Sequence, residues 1–171
     1  APRVGKIDHD VIGSASGNWF LDGTFGYGGR ATALYQNATT PIHGGPVDGK
    51  NSYAWSHLSI SPHEVDVDQW VFSIGWFKDP KGDHPQMILD VSTGKPAPSS
   101  LTASSGAVVY DLYQLSYNYS KPAGSMASAP VGYKLQRGQS KGQVILQVNA
   151  DGSLSVEFGS AFTAAKRTYR R

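Results

Sequence analysis

The feature that most constrains the fold is an alternating pattern on both sides of a tight turn near the C-terminus. Residues 144–158 read VILQVNADGSLSVEF, with an apolar residue at every second position before and after Asn149-Ala150-Asp151-Gly152. A period of two is that of a β-strand with one buried face. Asn followed three positions later by Gly is typical of a type I turn with a glycine bulge. The segment therefore predicts a β-hairpin in which Ser153, Ser155 and Glu157 face water.

The composition agrees with an all-β protein. The 171 residues include 20 Gly, 10 Pro, 9 Tyr and 4 Trp, whereas charged residues make up only 16%. Turn formers and aromatic residues at this level are typical of many short strands and not of surface helices. Only residues 161–167 are compatible with a short helix, and no linker divides the chain. We predict a single β domain, residues 1–171, with nine or ten antiparallel strands in a closed barrel or a two-sheet sandwich.

Charge and cysteine content narrow the functional classes. Four basic residues lie within the last six positions, which leaves 11 basic against 13 acidic residues in the rest of the chain. A nucleic-acid groove is therefore not indicated. The absence of cysteine excludes thiolate sites, and together with the start at Ala1-Pro2-Arg3 it favours a secreted or periplasmic bacterial protein. No apolar run approaches the roughly 20 residues that span a bilayer. The oligomeric state stays open.

Two central segments, residues 52–61 and 69–77, carry the strongest candidates for a binding site. Each alternates strictly, so one face of each predicted strand collects aromatic and polar side chains. If the two strands are antiparallel neighbours, these faces form a pocket wall for a small apolar or sugar-like ligand. The candidates are Tyr53, Trp55, His57 and Ser59 on the first strand, Trp70 and Trp76 on the second, and Trp19 on an earlier strand. The alternative is that the aromatic residues are core and that His57 makes a buried hydrogen bond.

A further predicted strand, residues 107–119, places Tyr113, Tyr117 and Tyr119 on one side. This spacing can form a stacking platform for sugars, although ordinary sheet packing explains it as well. Three functions remain open: small-molecule or carbohydrate binding, a hydrolase, lyase or isomerase with His57 as general base, or a structural or adhesion module that works through edge strands.

The chain lacks the sequence patterns of common metal and cofactor sites. No two of the five histidines have the spacing of a zinc pair, and no phosphate-binding or dinucleotide motif is present. We therefore predict neither a metal nor a cofactor. Two segments, Asp8-His9-Asp10 and Pro62-His63-Glu64, could form a metal or acid/base cluster only if folding brings them together.

Gly17-Asn18-Trp19, at the start of an early strand, resembles the Gly-x-Trp opening of lipocalins and other calycin barrels. The resemblance implies a barrel in which an arginine near the C-terminus, Arg167 or Arg170, closes over the tryptophan. The chain lacks the helix and following strand that end those barrels, so no ligand-binding residue is transferred. Residues 17–23, 55–61 and 162–171 also look like an uncharacterised group of exported bacterial proteins, a likeness that implies no activity.

Overall fold

The computed structural model shows a closed antiparallel barrel of eight strands in which β1 to β8 follow one another around the sheet and β8 pairs with β1. The structure describes residues 9–23, 57–64, 66–75, 86–92, 94–120 and 132–171. The strands are β1 Gly17–Leu21, β2 His57–Pro62, β3 Trp70–Ile74, β4 Gln86–Leu89, β5 Val108–Ser120, β6 Gly132–Val148, β7 Leu154–Phe158 and β8 Arg167–Arg170. The predicted all-β class and single barrel are confirmed, with fewer strands than nine or ten.

In the part of the chain that the structure describes, helical structure is confined to short pieces. Two 3-10 helices, Pro98–Ser100 and Ala103–Ser105, lie between β4 and β5. Residues 161–166, where the sequence is compatible with a helix, instead form bends and a turn that lead into β8. Within the described ranges, no helix is long and apolar enough to cross a membrane.

Apolar side chains that alternate along the strands fill the described part of the barrel interior. Trp70, Phe72 and Ile74 of β3 face inward and are 7%, 0% and 0% exposed. On β2 the inward side chains are Leu58 and Ile60, both fully buried. Because successive side chains of a strand point to opposite faces, His57, Ser59 and Ser61 lie on the outside of the barrel.

The barrel closes between β1 and β8 through two residue pairs, Phe20 with Arg170 and Leu21 with Tyr169. The segment before β1 crosses very close to the first strand. A Cβ atom on Gly17 would lie 2.0 Å from Asp10 Oδ1, and Gly17 has a φ of 136°. The glycine of the Gly-x-Trp pattern is therefore required by a close approach and by its backbone conformation.

Arg171 secures this end of the barrel. Its guanidinium carbon lies 4.2 Å from the centroid of the Trp19 ring, and the Trp19 side chain is 1% exposed. The same guanidinium donates hydrogen bonds to the backbone carbonyls of Val11, Ser14 and Ser16. One planar cation thus stacks on the aromatic ring and satisfies three carbonyl oxygens at once.

The resemblance to calycin barrels implies Arg167 or Arg170 over the Trp19 ring, and the structure places Arg171 there instead. Arg170 points to solvent and pairs with Asp22 and Asp151 at 3.1 and 3.2 Å. Arg167 lies within β8 opposite β7. The choice between neighbouring arginines depends on where β8 ends and which face each residue occupies, and local sequence does not specify either.

The hairpin of β6 and β7 has the expected alternation, but its outer face is not open to water. Ser153, Ser155 and Glu157 are 3%, 2% and 7% exposed. The Asn149 amide donates to both serine hydroxyls, and the backbone N–H of Thr163 donates to the Glu157 carboxylate at 2.6 Å. The expectation that these side chains face water is therefore wrong, because adjacent loops provide hydrogen bonds in place of solvent.

The Arg171 contacts generate a stability prediction. Arg171→Lys should lower the free energy of unfolding by about 1–3 kcal/mol, because an ammonium group cannot both stack on Trp19 and reach three carbonyls. Arg170→Lys is the matched control, since the ion pairs of Arg170 are exposed and should contribute little. Chemical denaturation of the two variants measures the difference, and equal losses would contradict the proposed role of Arg171.

Candidate functional site

Strands β5 and β6 extend beyond the rest of the barrel, with 13 and 17 residues. We call their far part, residues 115–120 and 132–137, the ribbon. The pairing register of β5 and β6 shifts on both sides of Tyr113. At this point a Cβ on Gly138 would lie 3.0 Å from the Cβ of Gln114, so the two strands approach closely there. Extra residues in one strand bend a β-pair and increase its twist, and the ribbon therefore leaves the barrel wall.

Two polar contacts hold the ribbon against the outside of the barrel. The Tyr117 hydroxyl lies 3.3 Å from Nε2 of His63, which follows β2. Arg137 of β6 lies 2.8 Å from Oδ2 of Asp90, which follows β4. His63 follows β2, which is three places from β5 in the sheet order, whereas Asp90 follows β4, which pairs with β5. The ribbon thus folds back across the outer faces of β2, β3 and β4.

The Asp90 carboxylate is well suited to hold the ribbon. Its side chain is 5% exposed, and burial raises the pKa of Asp90. Hydrogen bonds from the hydroxyl and backbone N–H of Ser92, together with Arg137, outweigh that effect and leave the Asp90 pKa below its usual value. Asp90 is therefore ionised at neutral pH. The Arg137 guanidinium in addition lies over the Tyr113 ring, 5.5 Å from its centroid.

An open groove of about 280 Å³ lies between the ribbon and the barrel. It is lined by His9, Ser61, Pro62, His63, Glu64, Val71, Gln86, Leu115 and Tyr117. The segments around His9 and His63, which the sequence links only if folding brings them together, do meet here. Among the described residues, however, no group of three or more His, Cys, Asp or Glu side chains is placed to hold a metal ion.

His63 is the best-defined polar group of the groove. It is 5% exposed, and its backbone N–H donates to the carbonyl of Gln69 at 2.8 Å. The backbone N–H of Asp66 donates to His63 Nδ1 at 3.2 Å, so this nitrogen carries no hydrogen. Nε2 of the ring then carries the hydrogen and donates it to the Tyr117 oxygen. The hydroxyl hydrogen of Tyr117 is consequently directed away from His63.

The structure does not bring the predicted site residues to one pocket wall. Trp19 and Trp70 belong to the apolar interior of the barrel. His57 and Ser59 lie on the outer face of β2, where His57 Nε2 donates to Asn18 Oδ1 at 3.0 Å. The pocket wall expected on the His57 face of β2 therefore does not line the barrel interior, which the apolar side chains of the opposite face occupy.

The predicted tyrosines are also separated. Tyr117 lines the groove, whereas Tyr113 packs beneath Arg137 and does not line it. Tyr53, Trp55 and Trp76 lie outside the described residues. Sequence reasoning missed the groove residues Gln86 and Leu115. The only local sequence signal for the bend that creates the groove is the presence of glycine within a strand pattern.

A second groove, of about 490 Å³, lies beside β7 and β8. It is lined by Asp22, Asn149, Ala150, Asp151, Ser153, Ser155, Lys166, Thr168 and Arg170. None of its described lining residues is aromatic, and Arg170 already bridges the carboxylates of Asp22 and Asp151. The groove beneath the ribbon is therefore the better candidate for a binding site.

His57 generates a prediction about pH. Burial lowers the pKa of His57 below its ordinary value of 6.5, so the unfolded chain takes up a proton at this ring more readily than the folded protein does. Stability from the neutral ring is present above about pH 6.5 and is lost as the pH falls towards the folded pKa. The loss should be smaller in His57→Gln, which retains a donor for Asn18 but does not titrate. Chemical denaturation at pH values from 8 to 5 measures this loss of stability. Equal losses in the wild-type protein and in His57→Gln would contradict the prediction.

Comparisons with known proteins assign no relative to this chain. No family model, curated protein or solved structure matches it. Function is therefore inferred below from the geometry of the groove and from the hydrogen bonds that surround it.

Proposed function

We propose that the protein binds a small hydroxylated ligand, with a sugar as the preferred class, in the groove between the ribbon and the barrel. The observation that carries the proposal is the buried His63, whose hydrogen-bonding state is set by Asp66 and which donates to Tyr117 at the wall of an open groove. A polar group oriented in this way is organised before a ligand arrives. Such preorganisation reduces the cost of binding.

The mixture of side chains supports a sugar. Pro62, Val71 and Leu115 provide apolar surface for the C–H face of a pyranose ring. Hydroxyl, amide, imidazole and carboxylate groups from the remaining lining residues match the donors and acceptors that sugar hydroxyls present. The volume of about 280 Å³ lies near the lower limit of small-molecule sites, which favours a ligand of one or two rings.

The barrel itself is part of the proposal. The stacking of Arg171 on Trp19 supports a calycin-like barrel, with Arg171 as the closing arginine. We further infer that the protein is exported, which agrees with a chain that contains no cysteine. A hydrolase, lyase or isomerase with His57 as general base has less support, because His57 does not line the groove.

The proposal predicts saturable binding of neutral sugars. Titration of the protein with methyl glycosides and disaccharides should identify at least one ligand. Isothermal calorimetry or ligand-observed NMR detects the binding. That ligand should also raise the unfolding temperature, and the increase should grow with the logarithm of its concentration once the site is saturated. Gln86→Ala should weaken the interaction by about 3- to 10-fold, since one side-chain hydrogen bond is removed.

Gln139→Ala is the matched control. Gln139 is an exposed glutamine of β6 that does not line the groove, so its removal should leave affinity unchanged. If Gln86→Ala and Gln139→Ala change the ligand affinity equally, the ligand binds elsewhere on the protein. The absence of saturable binding across the whole sugar panel would refute the proposed function.

A further inference from the structure

The ribbon and the barrel part of the same two strands differ in how their side chains are buried. None of the ribbon side chains that the structure describes, at residues 115–118 and 135–137, is buried. In the barrel part of β5 and β6, four side chains are fully buried: Tyr110, Leu112, Val144 and Leu146. A segment with few buried apolar contacts opens at a small free-energy cost. The position of the ribbon on the barrel therefore depends mainly on its polar contacts.

The bend that joins the ribbon to the barrel has irregular strand pairing. The register of β5 and β6 shifts between Leu112 and Tyr113 and again between Tyr113 and Leu115. Gly142, which pairs with Leu112, has a φ of 90°, a conformation that residues with a side chain rarely adopt. Extra residues interrupt the ladder of hydrogen bonds between two strands. A change in the angle of the bend therefore breaks fewer hydrogen bonds than it would in a regular pair of strands.

The Asp90–Arg137 ion pair connects the ribbon to the barrel close to this bend. Arg137 pairs directly with Leu115 in the register of the two strands, and Leu115 lines the groove. Side chains of directly opposed residues lie on the same face of an antiparallel pair. Because Arg137 lies 2.8 Å from Asp90 Oδ2, the ion pair also fixes how far the Leu115 wall of the groove stands from the barrel.

The Asp90 carboxylate is oriented for this contact from the barrel side. The hydroxyl and the backbone N–H of Ser92 donate to Oδ1 at 2.6 and 2.8 Å, which leaves Oδ2 for Arg137. A charge-assisted hydrogen bond to a carboxylate that is only 5% exposed is stronger than one between uncharged groups. The contact between His63 and Tyr117, at 3.3 Å, is also longer. The ion pair is therefore the stronger of these two contacts.

We propose that the Asp90–Arg137 ion pair is a latch that holds the ribbon as a lid over the groove. While the latch is closed, the groove has a volume of about 280 Å³. When the latch breaks, the ribbon turns at the bend near Tyr113 and the groove widens. Arg137 does not line the groove and is therefore a positioning residue. This inference concerns the motion of the ribbon, and it goes beyond the proposed function because it does not depend on the class of ligand.

The test measures the distance between the ribbon and the barrel. Because the chain contains no cysteine, nitroxide labels can be attached at two introduced cysteines. Gln136→Cys labels an exposed ribbon position, and Val67→Cys labels the connection between β2 and β3, where the side chain is 68% exposed. In double electron–electron resonance, the doubly labelled protein should give one narrow distance distribution. Adding Arg137→Gln should broaden this distribution and shift it to longer distances.

Asp90→Asn opens the latch from the other side. It removes the charge that binds Arg137 and retains an oxygen that accepts from Ser92, and it leaves Arg137 free to stay over the Tyr113 ring. Asp90→Asn should therefore shift the distance in the same direction as Arg137→Gln. Circular dichroism and thermal unfolding check that each variant keeps the barrel, and either variant that folds is sufficient for the test.

Lys95→Gln is the matched control. It removes the ion pair of Lys95 with Asp111 at 3.0 Å, which lies at the barrel part of β5, and it should leave the distance distribution unchanged. An unchanged distribution in folded Arg137→Gln or Asp90→Asn would overturn the proposal, as would an equal shift in Lys95→Gln. A larger shift in Tyr117→Phe than in Arg137→Gln would assign the latch to the contact with His63 instead. No ligand is needed, so failure of the latch and failure of sugar binding are separate results.

Discussion

Closure of the sheet between β1 and β8 is the constraint on which the rest of the structure depends. Among the described residues, two residue pairs join these strands, fewer than join any other two neighbours in the barrel. The guanidinium of Arg171 compensates by binding the Trp19 ring and the backbone of the segment before β1. A closed barrel leaves no exposed edges between its first and last strands. It also encloses the apolar row of every strand, which provides most of the hydrophobic burial.

Because the interior of the barrel is closed and apolar, the polar side chains that could bind a ligand lie on its outer surface. In the described part of the barrel, the inward side chains pack against one another and include Trp19 and Trp70. Concave polar surface arises instead where the ribbon folds back across β2 to β4. The bulges near Tyr113 direct the ribbon outward, and the contacts of Tyr117 and Arg137 determine where it comes to rest. The groove is therefore a consequence of bending two strands and not of a pore in the barrel.

Strands β2, β3 and β6 show which structural features the sequence pattern predicts and which it does not. Alternation correctly groups Trp70 with Phe72 and Ile74, and it correctly separates His57 from Leu58 on β2. It does not decide which face of β2 points inward, because one face offers aliphatic residues and the other aromatic ones. Residues 132–136 and 144–148 belong to the single strand β6, although glycines lie between them in the sequence. The glycines between them accommodate bulges, which a local pattern does not distinguish from a turn.

By itself, the sequence determined the β class, the alternation along individual strands and the hairpin turn at residues 149–152. These properties depend on side chains only a few positions apart, whose periodicity and turn chemistry act locally. Only the tertiary structure decided that Arg171 lies over Trp19 and that His63 meets Tyr117 across 54 positions of sequence. Such contacts depend on strand register and on the bend of β5 and β6. Both are set by the free energy of the whole sheet, which no short segment encodes.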